Sequence, residues 1–345
     1  MPVVKFSSRL DSEQKCSFLD RHLLSIFTWL NMALTQHTIA TPYMVGPVHC
    51  YTGVFDGDLV LFDTGPPTPE ARNYFRDHID VQNLKHIIIT HCHIDHYGQT
   101  HWLEENSDAI VYLPYRDGLK IVQHDRRMME MYQLLRDVGF SGEYLGRLQS
   151  IFDSGQLFPP FPQNFQVAEK DIPQQLGIKV VECPGHSQSD LVYVGEDWAV
   201  TGDTLLKGIF QSPLLDVDLE TGERFKNYEM YCSTLVKLFG LRNKTVLPGH
   251  RYIIRGVEET LLFYVSKLLQ RAEQLRPYVA EKDVMVLIDK LFNGKVQDVF
   301  HIFLKASEVF FMKDFLKNPE LLRSALENSG LFQNVKELYE SAVAV

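Results

Sequence analysis

Short apolar runs and alternating segments between residues 51 and 250 predict a series of β-strands. YTGVFDGDLVLFDTG at 51–65 predicts a β-hairpin, because Asp56-Gly57 is a strong two-residue turn between apolar runs. The β-branched run LKHIIIT at 84–90 predicts a strand buried on both faces. Further strands are predicted at DAIVYLP (108–114), IKVVECPGH (178–186), DLVYVGEDWAVTGDT (190–204, with a turn at Glu196-Asp197) and KTVLPGH (244–250).

Helical spacing separates these strands and follows them. TPEARNYFRDHI predicts a helix with Thr68 at its N-cap and Pro69 in its first turn. Residues 115 to about 165 predict a helical insert or lid that ends in the proline-rich LFPPFPQNF, and from about 256 the chain is helical to its end. LLSIFTWLNMAL at 23–34 predicts an amphipathic helix that opens near Asp11 or Ser12.

The insert carries a stripe of large apolar residues. The stripe consists of Met128, Met129, Met131, Tyr132 and Leu135. We predict that part of it, with the tail helices, forms the wall of a substrate pocket. The alternative is that the insert packs against the tail as a second small core.

Composition narrows the class of protein. The 345 residues allow one large domain or two smaller ones. A net charge of −10 argues against a dedicated nucleic-acid binder, since phosphate neutralisation needs clustered Lys and Arg. Five scattered cysteines with no C-x-x-C pair are typical of a reducing compartment. The run at 23–34 is too short to span a bilayer and lacks the basic start of a signal peptide. We therefore expect a cytoplasmic protein with no membrane partner.

ITHCHIDHYGQ, residues 89–99, crowds three histidines and one aspartate into six positions, and other predicted strands end in the same residue types. Sites in mixed α/β sheets assemble where strands finish and loops begin. Seven side chains are therefore predicted to meet: His91, His93, Asp95, His96, His186, Asp203 and His250.

The chemistry of this set is that of metal ligands. His91, His93 and His186 can hold one ion, Asp95, His96 and His250 can hold a second, and Asp203 can bridge them. Three protein ligands with an open position are typical of catalytic zinc, and two ions roughly 3.5–4 Å apart form a hydrolytic clamp. We predict two divalent ions, with zinc first and iron or manganese as alternatives.

These motifs make the chain resemble the metallo-β-lactamase superfamily over about residues 38–255. His91 to His96 match its H-x-H-x-D-H motif, and PGHS, GDT and PGH supply His186, Asp203 and His250. The resemblance implies an α/β fold, the αββα sandwich of two mixed sheets with helices outside. It implies a core at 1–255 that includes the insert at about 115–165, and a helical C-terminal extension at 256–345. Asp63, in FDTG, is similar to an aspartate of the superfamily that supports the ligands, with turn capping as the alternative. DHYGQ departs from the common pattern after its glycine, which alters a loop without removing a ligand.

The resemblance also implies a chemistry. A hydroxide held by two metal ions, which lower the pKa of bound water toward about 7, attacks a carbonyl or phosphorus centre. Asp95 is the implied catalytic residue, which orients the hydroxide and passes on a proton. The helical tail resembles those of glyoxalase II-type thioesterases, quinolone-signal thioesterases and β-lactamase-like-protein-2 hydrolases. With the apolar insert it favours a small organic ester, thioester or lactone. Arg251 and Arg255 can meet a substrate carboxylate or phosphate, or remain solvated.

Three other functions stay open. A mononuclear-iron oxidoreductase of the persulfide dioxygenase type keeps the same histidines. A phosphodiesterase or nuclease on this scaffold is disfavoured by the acidic charge, and a non-catalytic relative usually loses ligands, whereas this chain has lost none. We expect a small-molecule substrate and no nucleic-acid partner, with a homodimer as one option for the assembly.

Overall fold

The predicted strands pair into two separate mixed sheets. The structure is a computed structural model that describes residues 34–153, 158–292 and 298–344. Within these residues one six-stranded sheet has the order β1 (Thr35–Ile39), β2 (Val48–Phe55), β3 (Asp58–Phe62), β4 (Leu84–Ile88), β5 (Ile110–Leu113) and β6 (Gln166–Val167). A four-stranded sheet has the order β10 (Thr245–Pro248), β9 (Trp198–Gly202), β8 (Leu191–Val194) and β7 (Lys179–Glu182). The α/β fold class and the strands predicted from residue 51 to residue 250 are confirmed, whereas β1 and the short β6 were not predicted.

Strand directions bring several strand ends to one edge. β2 and β3 form the predicted antiparallel hairpin, and its turn residues Asp56 and Gly57 have φ values of 51° and 89°, as a two-residue turn of this kind requires. β4 runs parallel to β3, and β10 runs parallel to β9. Within each parallel pair the carboxyl ends therefore point the same way, and the loops that follow them are neighbours.

Aromatic side chains join the two sheets. The ring of Phe62 lies 5.7 Å from the rings of both Tyr193 and Trp198. The Tyr193 hydroxyl donates to the carbonyl of Ile89 across the sandwich at 2.7 Å. These contacts fix the end of β4 against the second sheet, so that the loop after β4 faces the loops after β9 and β10.

Helices cover both outer faces. Beside the first sheet lie α1 (Pro69–His78), α2 (Ile94–Tyr97) and α3 (Thr100–Asn106). After the insert, the short α7 (Ala168–Asp171) follows β6, and α8 (Asn227–Phe239) packs in the hydrophobic cluster of the second sheet. The Thr68 hydroxyl accepts from the Ala71 N–H at 3.2 Å, so the predicted cap of α1 is confirmed. Short 3₁₀ turns occupy Val81–Asn83, Gln174–Leu176 and Arg276–Tyr278.

The insert and the tail are helical, as predicted. The insert forms α4 (Tyr115–Val122), α5 (His124–Asp137) and α6 (Gly142–Asp153). The tail forms α9 (Val257–Leu275), α10 (Val284–Phe292), α11 (Val299–Lys317), α12 (Pro319–Asn328) and α13 (Phe332–Val343). Met131 and Leu135 of the insert share one hydrophobic cluster with Leu268 and Phe311 of the tail and with Val192 of the second sheet. For Met131 and Leu135 the structure thus favours the alternative in which insert and tail share a core.

Two predictions concern the ends of the chain. The amphipathic helix expected at 23–34 lies outside the described residues except for its last position. The division of the chain into a core at 1–255 and an extension at 256–345 stays a prediction, although the described residues from Gln36 onward belong to one compact unit. Among the helices that the structure describes, none is long and apolar enough to cross a membrane.

Candidate metal centre

The seven predicted side chains meet where the loops after β4, β7, β9 and β10 converge. His91, His93 and His186 place one ring nitrogen each within 4.8 Å of one another, and we call them the first trio. Asp95, His96 and His250 meet the same criterion, and we call them the second trio. Each set predicted from the sequence is therefore a cluster in space, and the two adjoin, since His91, His96 and Asp203 meet the same criterion.

Asp203 lies between the two trios. Its Oδ1 is 3.4 Å from Nε2 of His96 and 3.6 Å from Nε2 of His250. Its Oδ2 faces the other way and is 3.9 Å from Nε2 of His186. One oxygen thus points to each trio, which is the arrangement that a bridging carboxylate needs.

Hydrogen bonds fix the orientation of three imidazole rings. Nδ1 of His186 donates to the carbonyl of Ser212, and Nδ1 of His250 donates to the carbonyl of Pro47, both at 2.8 Å. Nδ1 of His96 lies 2.8 Å from Oδ2 of Asp63. Each ring therefore turns Nε2 into the centre, as in metal-binding histidines whose other nitrogen is held by an acceptor.

Asp63 supports both trios. Its carboxylate accepts the N–H of Thr90 at 2.8 Å and the Thr90 hydroxyl at 2.9 Å. The Thr90 oxygen lies 3.0 Å from Nδ1 of His91, so it can accept that proton in turn. Asp63 has a φ of 58°, a conformation that costs energy in a residue other than glycine and that is found most often at functional sites. The structure favours the supporting role over turn capping.

The two trios differ in their electrostatics. Burial, followed by the neighbouring imidazoles, lowers the pKa of His91 and of His93 well below the ordinary value. Burial acts in the same direction on His96, but Asp203, Asp63 and Asp95 together raise its pKa well above the ordinary value. The pKa of His250 is likewise raised against burial, first by Asp203. In the first trio His91 and His93 are therefore neutral imidazoles, whereas the second trio pairs histidines with carboxylates.

Several buried polar atoms in the centre have no hydrogen-bond partner among the described residues. They are Nε2 of His91, His96 and His250 and Oδ1 of Asp203. An unpaired buried polar group costs about 1–3 kcal/mol, so a site that leaves four of them facing one another is suited to a cation. Nδ1 of His93 and Nε2 of His186 lie 3.0 Å apart, close to the roughly 3.3 Å between two nitrogens on one tetrahedral zinc ion. The donor set fits divalent metal ions.

Close packing explains the glycine of PGH. A Cβ atom on Gly249 would lie 2.6 Å from Cε1 of His96 and 2.7 Å from Oδ1 of Asp203. No side chain fits at these distances, so Gly249 lets the backbone before His250 pass directly behind the candidate ligands.

Sequence reasoning missed Asp117, which lies on α4 of the insert and is 1% exposed. Its carboxylate accepts the Cys92 N–H and the Ser189 hydroxyl, both at 2.7 Å, and pairs with Lys120 at 2.9 Å. Cys92 separates His91 from His93, and Ser189 lies in the turn after His186. One buried carboxylate thus connects the two segments that carry the first trio. A lone aspartate in a helical pattern gives no sequence signal of this kind.

The exposed part of the apolar stripe on the insert, including Met129, lies in a groove away from the candidate metal ligands. A groove of about 610 Å³ between α5 and α6 is lined by Met129, Tyr132, Leu145 and Gln149 among others, and none of the seven candidate ligands lines it. Arg251 and Arg255, the two arginines after His250, are both exposed.

Comparisons with known proteins establish the fold and the family. The thioesterase pkgB of Emericella nidulans is 23% identical over 265 residues, which are 75% of this chain and 59% of pkgB, so the match spans about three-fifths of that protein. A metallo-beta-lactamase family protein of Thermus thermophilus is 22% identical with a TM-score of 0.67, over 83% of this chain and 94% of that one. A beta-lactamase domain protein of Burkholderia ambifaria is 18% identical with a TM-score of 0.69, over 82% and 87%. At these identities the two structures establish the fold.

The sequence profile of the metallo-beta-lactamase superfamily, whose members are metallo-hydrolases, matches residues 44–250. The matched segment is more than half of the chain and contains all seven candidate ligands. The chain therefore belongs to the metallo-beta-lactamase superfamily.

Proposed function

We propose that the protein is a dinuclear metal-dependent hydrolase of a small organic ester, thioester or lactone, and that a thioester is the first candidate. The observation that carries the proposal is the pair of trios joined by Asp203, with buried ring nitrogens that have no hydrogen-bond partner among the described residues. His91, His93 and His186 would hold one ion, and Asp95, His96 and His250 the other. Divalent ions in these positions, zinc in the first instance, supply a nucleophile from water near neutral pH and stabilise developing negative charge.

The trios are suited to different tasks. The first consists of imidazoles alone, of which His91 and His93 are held neutral by burial, whereas the second includes the carboxylate of Asp95 and histidines already paired with Asp203 and Asp63. The first side of the site therefore has less negative charge, so we place the carbonyl oxygen of the substrate there. The leaving thiolate, alkoxide or carboxylate then lies on the side of the second trio.

Asp95 is the residue to which we assign proton transfer. Its Oδ2 lies 3.3 Å from Nε2 of His250, and its Oδ1 lies 3.9 Å from Nε2 of His96. It is 8% exposed, so its position is fixed by the surrounding protein. A carboxylate in this position can orient an attacking water molecule, take up its proton and pass it to the leaving group.

The preference for a thioester over an oxygen ester or a lactone comes from a related protein and not from the geometry of the site. The relative pkgB is named a thioesterase, and its similarity extends over 75% of this chain. This supports thiol esters ahead of oxygen esters and lactones, while the chemistry of the site accommodates all three.

The test combines metal analysis with a substrate screen. Protein purified without added metal is analysed for zinc, iron and manganese, and the loaded protein is then assayed on thioesters, lactones and phosphodiesters. We expect two ions per chain and turnover of a thioester that is lost in Asp95→Asn. A single iron ion per chain, together with oxygen consumption that depends on a persulfide, would show that the protein is an oxidoreductase and not a hydrolase. Turnover of phosphodiesters alone would show that the proposed substrate class is wrong.

A further inference from the structure

The helical tail reaches the first trio through one short segment, residues 210–215. The carbonyl of Ser212 accepts Nδ1–H of His186 at 2.8 Å. The N–H of Leu214 donates to the carbonyl of His186 at 2.7 Å. This segment therefore holds His186 by its ring and by its backbone.

Two tail helices hold that segment in turn. The Ser212 hydroxyl donates to Oε1 of Glu308 on α11 at 2.8 Å, and the Leu215 N–H donates to the Ser307 hydroxyl on the same helix at 3.0 Å. The Tyr264 hydroxyl on α9 donates to the carbonyl of Gln211 at 3.2 Å. Three contacts from the tail thus surround the carbonyl that orients His186.

Glu308 is the anchor of this arrangement. It is 2% exposed, and it accepts Arg271 at 2.7 Å and Lys305 at 2.8 Å in addition to Ser212. The Arg271 guanidinium lies 4.4 Å from the ring of Phe210, at the start of the same segment. Charge-assisted hydrogen bonds from two cations fix both carboxylate oxygens, so the Ser212 hydroxyl has a rigid acceptor.

The second trio has different supports. The partner of His96 is Asp63 and the partner of His250 is the carbonyl of Pro47, both close to the strands of the first sheet. A change at Glu308 or Ser212 therefore acts on one trio and not on the other.

We propose that Ser212 and Glu308 are positioning residues through which the C-terminal helices fix the ring of His186 and so set the metal affinity of the first trio. The inference rests on the proposed function, since it needs a metal ion at that trio. Loss of an outer hydrogen-bond partner of a metal-binding histidine lowers metal affinity by about 10–100-fold. Because the Ser212 carbonyl itself remains when only its anchor is removed, we expect the lower end, about tenfold.

The experiment follows metal release from the full-length, zinc-loaded protein during titration with a chelator. His250→Ala identifies the release step that belongs to the second trio. Ser212→Ala and Glu308→Gln should each weaken the first-trio step about tenfold and leave the second-trio step within about twofold, whereas Ser212→Thr should restore it. kcat/KM should fall at limiting zinc and recover at saturating zinc, which a general loss of stability would not produce.

Asp314→Asn is the matched control. Asp314 lies on the same helix α11 and pairs with Arg224 at 2.8 Å, and no hydrogen bond or ion pair found among the described residues joins either of them to residues 210–215. It should lower the melting temperature without changing either release step. If wild type releases two ions and Ser212→Ala releases both as wild type does, the inference is wrong while the proposed function stands. It is equally wrong if Asp314→Asn weakens the first-trio step as much as Ser212→Ala. If wild-type protein binds none of zinc, iron and manganese, both proposals are wrong.

Discussion

Apart from Asp63, which supports both trios, the two halves of the candidate metal centre are supported by different parts of the chain. In the second trio, His96 is held by Asp63 at the end of β3, and His250 by the carbonyl of Pro47 before β2. In the first trio, the Cys92 backbone is held by Asp117 of the insert, and His186 is held by a segment anchored to the tail. The sandwich thus supports the second trio by itself, whereas the first trio also depends on the added helices.

The supports of the second trio come from the fold of the sandwich, whereas the additional supports of the first trio come from helices that this chain adds to it. Supports that come from the sandwich belong to the scaffold. Supports that come from the insert and tail tie the first trio to the same helices that we expect near a substrate. Variation in those helices can therefore change metal affinity and substrate together without changing any candidate ligand.

The largest effect is expected from removing the residue that both halves share. Asp203→Ala should prevent binding of two ions and lower kcat/KM by more than about 100-fold, because loss of an outer partner alone costs about 10–100-fold. Elemental analysis and kinetics measure the two effects. Turnover at the wild-type rate in this variant would show that Asp203 does not bridge.

The next largest effect is expected from weakening the hydrogen bond by which Asp63 of the sandwich holds His96. Asp63→Asn keeps a side chain that tolerates the left-handed φ at this position but removes the charge that holds His96. Zinc affinity of the second trio should fall by about 10–100-fold in a chelator titration. The first trio should lose less, because Asp63 reaches His91 only through Thr90. Asp58→Asn is the control, since Asp58 begins the same strand and contacts His86 instead. Equal losses in the two variants would contradict a specific role for Asp63.

A smaller effect is expected from the insert. Asp117→Asn leaves a poorer acceptor for the Cys92 N–H and the Ser189 hydroxyl, so the first trio should lose zinc affinity by about tenfold while the second changes little. The matched control is Asp125→Asn on α5, at a residue that touches neither Cys92 nor Ser189. The comparison fails if Asp117→Asn weakens the second trio more than the first.

The smallest effect on catalysis is expected at the buried methionine of the insert. Met131→Ala removes a side chain from the core shared with the tail, so the free energy of unfolding should fall by about 2–5 kcal/mol while kcat/KM with saturating zinc stays within about twofold. Met129→Ala, at a residue that is 66% exposed, should change the free energy of unfolding by less than about 0.5 kcal/mol. Thermal or denaturant unfolding and steady-state kinetics measure both. A tenfold loss of kcat/KM without a loss of stability would instead indicate that Met131 lines the substrate pocket.

Local patterns were sufficient for the strands and for the candidate ligands. Each predicted strand is an apolar run that ends in a recognisable turn, and His91, His186, Asp203 and His250 follow such runs directly or within a few residues. β1 was missed because TQHTI is short and mostly polar, and β6 because it has two residues.

The supporting residues could not be predicted for a different reason. Asp117 reaches Ser189, and Ser212 reaches Glu308, across separations of 72 and 96 residues. Buried acidic residues of this kind have the same helical spacing as solvated ones, so only the packed structure distinguishes them. Asp63 lies between these cases, since its position at a strand end indicated a role but its partners depended on the fold.

Anomalous diffraction from zinc-soaked crystals, with data collected on both sides of the zinc absorption edge, tests the central claim most directly. The two-trio arrangement predicts two zinc peaks roughly 3.5–4 Å apart. One should be bound by His91, His93 and His186, the other by Asp95, His96 and His250, with Asp203 between them. A single peak at full zinc occupancy, or two peaks with other ligands, would contradict the account.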